Sequence, residues 1–155
     1  MRTSAGLLIF RIRNGRLEVF LIHPGGPLWA MKEEGAWSIP KGEFTAPEEP
    51  LNAARREFHE ETGYEAFAPF TRLTPVHQSS HKMVQAWAAE GDFDPSGIRS
   101  NTFNMEWPPR SGRMQDFPEA DRAAWFPIDV AREKILKGQI PLLDELENIL
   151  TARPH

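Results

Sequence analysis

Gly42-Glu43-Phe44-Thr45-Ala46-Pro47-Glu48, followed seven residues later by Arg56-Glu57-Phe58-His59-Glu60-Glu61-Thr62-Gly63-Tyr64, is the stretch that decides how this chain folds and what it can do. Pro50 suits the first position of a helix, where its missing N–H is not needed, and Gly63 suits the left-handed residue that ends one, so a helix is predicted over 50–62. Thr45-Ala46-Pro47-Glu48 has the form of a capping box. A helix capped at Thr45 would, however, carry Pro50 in its body, where the ring clashes with a carbonyl. On the helix, Glu57, Glu60 and Glu61 stand at i, i+3 and i+4 and share one side, while Leu51, Ala54 and Phe58 lie about a quarter turn away. One face is built to pack and the other to be presented.

Clustered carboxylates without basic partners repel one another, and a divalent cation reverses the sign of that interaction. Oxygen-only ligands suit Mg²⁺ or Mn²⁺, which retain water and complete their shells on substrate phosphates. The plain alternative is a solvated acidic helix face.

The order glycine, five residues, glutamate, seven residues, Arg-Glu, apolar, any, Glu-Glu, any, glycine, apolar is filled at every specified position from Gly42 to Tyr64, and Trp37-x-x-Pro40-Lys41-Gly42 extends it. On these residues the chain resembles the Nudix hydrolases, with Tyr64 standing where an aliphatic residue is commoner. The resemblance implies an α+β fold in which a mixed β-sheet is sandwiched between helices (α/β/α). It also implies Mg²⁺-dependent hydrolysis, with Mn²⁺ able to substitute, of a nucleoside diphosphate linked to another group. Carried onto this chain, Glu57, Glu60, Glu61 and the carbonyl of Lys41 look like the metal ligands. Arg56 would orient Glu57 through an ion pair with Glu48, and Gly42 would permit the tight loop that aims the Lys41 carbonyl. Relatives differ over the general base, so Glu57, Glu61 and Glu106 all stay in play.

Substrate choice is less clearly written. Relatives that cleave ADP-ribose often carry a proline about fifteen residues past the last glycine, where this chain has Gln78. Diadenosine-polyphosphate relatives often show a tyrosine just beyond, but Tyr64 is the only tyrosine here. The expected substrates are NTPs or dinucleoside polyphosphates. A non-catalytic Nudix-fold module that senses a nucleotide or a protein is the competing expectation. Such a module has no physical need to keep the three helix carboxylates together with Arg56 and Glu48.

Outward from this centre, residues 4–12 and 16–23 read as a hairpin around Asn14-Gly15, the dipeptide that accepts positive φ at both central positions of a type I′ turn. Leu17, Val19 and Leu21 face one way and Phe20 and Ile22 the other, so the sheet should be covered on both sides. A short extended stretch is expected at 37–40, a strand at 83–89 and another at 125–128. Asp129 is expected to cap a helix to about Lys137 that Gly138 stops, and Pro141 to start a last helix striped by Leu142, Leu143, Leu146, Ile149 and Leu150.

Between Gly91 and Pro118 no period is visible and prolines and glycines interrupt, so a long functional loop is expected there. Within it, Glu106, Trp107 and Arg110 are expected to face the metal site. Trp107 is placed to stack on a base, with Arg110 and Arg113 to grip phosphate oxygens and Lys41 beside them as a further substrate contact. Asp92-x-Asp94-x-Ser96-Gly97 begins like a calcium loop but ends on Phe103 where a glutamate is needed. His77 and His81 have zinc-like spacing in a segment that does not read as helix.

Length and composition limit the alternatives. A chain of 155 residues with 40% hydrophobic content makes one domain over 1–155. A net charge of -4 gives no bulk attraction for nucleic acid or an anionic membrane and argues mildly against an RNA-end-processing role. Without cysteine there is no disulfide framework, thiolate metal site or cysteine nucleophile, and a cytoplasmic location is the default. The apolar run from Leu7 to Phe10 is too short for a signal core or a membrane span. A small-molecule nucleotide partner and a monomer or homodimer are expected.

Overall fold

The computed structural model describes residues 1–152. The hairpin forms at the centre of the molecule: β1 (Arg2–Arg13) pairs antiparallel with β2 (Arg16–Pro24), with Asn14 at φ 54° and Gly15 at φ 76° in the turn. On its other edge β1 runs parallel to β6 (Lys82–Glu90), from Arg2 opposite Lys82 to Phe10 opposite Glu90. β9 (Ala120–Pro127) extends the sheet beyond β2, giving the order β4-β6-β1-β2-β9 with β4 at Thr71–Arg72. β3 (Lys41–Glu43) pairs with the start of β1, and β5 (Val76–Ser79) with β6.

Alternation along β1 and β2 places a core on each face of this mixed sheet. Leu7, Ile9, Phe20 and Ile22 pack with Ala53, Ala54 and Phe58 of α1 (Pro50–Thr62). Leu8, Phe10, Val19 and Leu21 pack on the opposite face with α2 (Ile128–Lys134) and α3 (Ile140–Thr151), through Ala131, Leu142, Leu143 and Leu146. Phe58 is fully buried, which removes a side chain worth about 2 kcal/mol of transfer free energy from water and seats α1 on the sheet. The predicted α/β/α sandwich is the observed one. None of the three α-helices is long and apolar enough to cross a membrane, among the described residues.

The sharpest departure from expectation is the segment 91–118. It contains a 3₁₀ turn at Pro95–Gly97 and a separate hairpin, β7 (Thr102–Glu106) paired with β8 (Met114–Pro118). Asp94 Oδ1 accepts from Ser96 N–H at 2.9 Å and so caps the turn that resembled a calcium loop. Phe103 and Phe117 oppose each other; Thr102 to Glu106 does alternate polar and apolar residues, a short signal the expectation of a loop passed over, whereas Met114 to Pro118 shows no period.

α2 is also shorter than expected. It ends at Lys134, with Asp129 inside its first turn and making no side-chain cap. Ile135 leaves the helix to bridge Trp37, and Leu136 N–H donates to the Trp37 carbonyl at 2.8 Å, so pairing with the 37–40 stretch outweighs one more helical turn. Gly138 does not stop this helix. It sits in a separate 3₁₀ turn, where a Cβ would lie 2.6 Å from the backbone of Gln78 on β5.

Candidate active site

α1 begins at Pro50 and ends on Gly63 at φ 79°, whose N–H returns to the His59 carbonyl at 2.7 Å. With Phe58 turned to the sheet, the flank about a quarter turn away carries Glu57, Glu60 and Glu61 towards β3. β3 is held against β1 by Gly6 opposite Lys41 and Ser4 opposite Glu43. A Cβ on Gly42 would overlap the Glu57 carboxylate, so glycine is required there by the close approach of α1.

Arg56 organises the acids. Its Nε and Nη2 donate to the two carboxylate oxygens of Glu48 at 2.8 and 2.9 Å, and Nη1 donates to Glu57 at 2.8 Å and Glu60 at 2.9 Å. The helix carboxylates therefore do have a basic partner, supplied from the residue before Glu57. Its fork geometry aims both acids, as bidentate arginine pairs do. Side-chain exposures of 38% for Arg56 and 30% for Glu48 place this pair at the rim, where solvent screens it. Its worth is orientation more than stability.

Glu61 differs from its neighbours. Its Oε2 is buried and has no hydrogen-bond partner. Burial, reinforced by the Glu57 charge, pushes its carboxyl well above the ordinary range, with Lys41 pulling the other way. Burial likewise raises Glu57 against the pull of Arg56, and lowers Lys41 against the pull of Glu61. An unpaired carboxylate oxygen in a desolvated place is costly unless a cation or proton meets it.

These side chains line a cavity of about 390 Å³ with Lys41, Gly42 and Glu119. Glu119 was missed by the sequence reading. It lies between β8 and β9, and partial desolvation together with the Glu60 charge raises its carboxyl. Its placement comes from a chain of backbone bonds: Asn101 N–H donates to the Glu60 carbonyl at 2.7 Å, Glu119 N–H to Asn101 at 2.8 Å, and Gly25 N–H to Glu119 at 3.0 Å. Only the closing of the β7–β8 segment on itself brings Glu119 to α1, and no local spacing signals that.

Glu106 lies elsewhere. It lines a second cavity, and its Oε1 accepts the Arg110 N–H at 2.8 Å. Trp107, Arg110 and Arg113 belong to the turn at the far end of the hairpin, where Trp107 N–H bonds the Arg113 carbonyl at 2.9 Å. None of these three lines either cavity. His77 and His81 are exposed at β5 and the turn after it.

The donor set fits a hard divalent cation: carboxylates from Glu57, Glu60 and Glu61, one of them with an orphaned oxygen, beside the Lys41 backbone. Among the described residues no three histidine, aspartate or glutamate side chains are arranged to hold a metal ion by themselves. An ion here would complete its shell with water and substrate oxygens, as Mg²⁺ does.

Known proteins resemble the chain in sequence and in shape. It is 33% identical over 105 residues to an 8-oxo-(d)GTP phosphatase of Mycolicibacterium smegmatis, covering 64% of this chain and 26% of that protein. It is 38% identical over 66 residues to an RNA pyrophosphohydrolase of Bartonella henselae, covering 40% of this chain and 35% of that protein. The alignments thus span about a quarter to a third of these curated relatives. The fold matches a C. elegans Ap4A hydrolase binary complex with a TM-score of 0.69 at 21% identity, over 99% of this chain and 100% of that one. The family model described as NUDIX domain matches residues 2–146, which hold the sheet, α1, α2, the first part of α3 and the acidic cavity, and the chain belongs to this family.

Proposed function

We propose that this protein is a divalent-metal-dependent pyrophosphohydrolase that cleaves a nucleoside diphosphate linked to another group, with NTPs or dinucleoside polyphosphates as substrates. The observation that carries this is Glu61 Oε2, a buried oxygen with no partner beside two further acids on the same helix. The names of two of the similar proteins, an 8-oxo-(d)GTP phosphatase and an Ap4A hydrolase, point to nucleotide polyphosphates, and the third is an RNA pyrophosphohydrolase.

Glu57, Glu60, Glu61 and the Lys41 carbonyl would hold Mg²⁺, with Mn²⁺ able to replace it. Bound there, the ion would neutralise the pyrophosphate and activate water for attack on phosphorus. The protein's own part is to orient and to move a proton. Arg56, braced by Glu48, holds Glu57 and Glu60 in place. Glu119 takes the place expected for Glu106 as the carboxylate from outside the helix. Its raised affinity for protons suits it to accept one from water, with Glu57 and Glu61 as the alternatives.

A panel of NTPs, dinucleoside polyphosphates and ADP-ribose, incubated with Mg²⁺ and resolved by chromatography, tests the proposal. Expected is release of a nucleotide, together with phosphate or pyrophosphate from an NTP or with a second nucleotide from a dinucleoside polyphosphate, that stops when chelator is added. Full activity in chelator, or no turnover of any member, would reject it.

A further inference from the structure

We infer that His23 is a positioning residue for the hydrolysis: its ring, donating from both nitrogens, ties the loop after β2 to the start of β9 and so sets where Glu119 stands beside the helix acids. This rests on Glu119 being the carboxylate that takes the proton from water.

His23 is fully buried near the end of β2, where the β2–β9 register shifts between His23 and Pro24. A buried imidazole has to find partners for its nitrogens inside the protein. Nε2 lies 2.6 Å from the Lys32 carbonyl, which can only accept, so this nitrogen carries a hydrogen. Nδ1 lies 3.0 Å from Oδ1 of Asp121, and an ionised carboxylate also only accepts, so this nitrogen donates as well. The ring is then a cation inside the fold, with Asp121 as its counter-charge. A glutamine cannot stand in, because its two amide hydrogens leave from one nitrogen and do not reach opposite sides.

Asp121 stands two residues after Glu119, and the ring is the middle one of three ties between the loop and this segment. On one side of it, Gly25 N–H donates to the Glu119 carbonyl at 3.0 Å. On the other, Glu33 accepts from Arg122 Nη2 at 2.8 Å and from Trp37 Nε1 at 3.1 Å. The outer ties are the weaker ones. The Gly25 bond is a single neutral one, and the Arg122–Glu33 pair is open to solvent, which screens it. The ring also packs edge-on against Trp37, with centroids 5.2 Å apart, and this fixes its plane.

The consequence for the site is geometric. β9 begins at Ala120, opposite Pro24, so the direction in which the chain leaves Glu119 depends on the register just past His23. Glu119 lines the acidic cavity, and it also lines the second cavity, which the loop and the β7–β8 hairpin enclose with apolar Trp29, Phe103 and Met105 in its walls. A catalytic group displaced by about 1 Å can cost on the order of 100-fold in rate, so a tie at this distance from the chemistry acts on turnover.

Asp121→Ala removes the counter-charge, whereas Asp121→Asn keeps the shape and can donate to a bare Nδ1. In the full chain labelled with ¹⁵N-histidine, the wild-type His23 ring, assigned through its contact with Trp37, is expected to carry a hydrogen on each nitrogen, and in Asp121→Asn on Nε2 alone. Asp121→Ala should speed exchange of the Gly25 amide by about tenfold and leave the Leu73 amide, bonded to Ala86 on the far side of the sheet, unchanged. Its kcat on the best nucleotide substrate should fall by about tenfold with KM nearly constant, and Asp121→Asn should recover most of both losses. In a Glu119→Gln background, Asp121→Ala should cause no further loss in kcat.

A wild-type ring with one bare nitrogen, or Gly25 exchange unchanged in Asp121→Ala, would overturn the tie. An equal kcat loss with and without Glu119, or full activity of Glu119→Gln, would overturn its action on Glu119. Absence of all hydrolysis by the wild type, with the ring hydrogens and Gly25 exchange as expected, would reject the hydrolase and support the tie.

Discussion

The two walls of the cleft are held in place by different means. α1 buries Ala53, Ala54, Phe58 and Thr62 in the core of the domain, whereas no residue of β7 or β8 is buried. The hairpin depends on its own ladder and on backbone bonds at its base, where Asn101 and Glu119 join α1 and the Gly25 loop. The difference separates two tasks. The clustered acids ride on a helix anchored by the whole core, while the hairpin that walls the neighbouring cavity is lightly tethered.

The largest effect is expected at the most buried acid of the anchored wall. Glu61→Gln should lower kcat on the order of 1,000-fold, while the metal-free protein becomes as stable or more stable. The pH dependence has a definite sign. A carboxyl raised in the folded state contributes stability below the unfolded value of about 4.3 and loses it as pH rises through its native value. Metal-free wild type should therefore lose melting temperature between acid and neutral pH, and the variant should lose less. Calorimetric melts with and without Mg²⁺ check this, and identical pH profiles would contradict it.

Gly42→Ala comes next. Its Cβ would displace the Glu57 carboxylate, so activity should fall on the order of 100-fold, together with Mg²⁺ affinity measured by titration calorimetry. Unchanged metal affinity would show that Glu57 can move at no cost.

Glu119→Gln should lower kcat by about 100-fold with KM nearly constant if Glu119 takes the proton, and Glu106→Gln should change kcat by much less. A larger kcat loss at Glu106 would restore it as the catalytic loop carboxylate.

The smallest effects belong to the far end of the hairpin. Arg110→Ala and Arg113→Ala should leave kcat and KM within about twofold, because neither side chain lines a cavity. Hydrogen exchange should nevertheless distinguish the walls, with β7–β8 amides exchanging faster than those of Ala54–Phe58. Equal protection would remove the contrast.

Much of this was legible in the chain itself. Asn14-Gly15 with alternating Val19, Phe20 and Leu21 determined a central hairpin, because the turn needs positive φ twice and the strands need apolar residues on both faces. Glu57, Glu60 and Glu61 came to one flank because helical period is a local property, and Pro50 and Gly63 marked the ends because their backbone restrictions are local too. Residues distant in sequence needed the tertiary structure. Glu119 reaches the acids only after β7 and β8 pair and the segment closes through Asn101, a contact with no sequence period. The end of α2 was decided in the same way, by pairing of Ile135 and Leu136 with Trp37 almost a hundred residues away. The apolar cavity likewise exists only where the loop after β2 meets the hairpin. Local propensity specifies elements, but which loop carboxylate stands beside the three helix acids depends on how long-range backbone bonds close the chain.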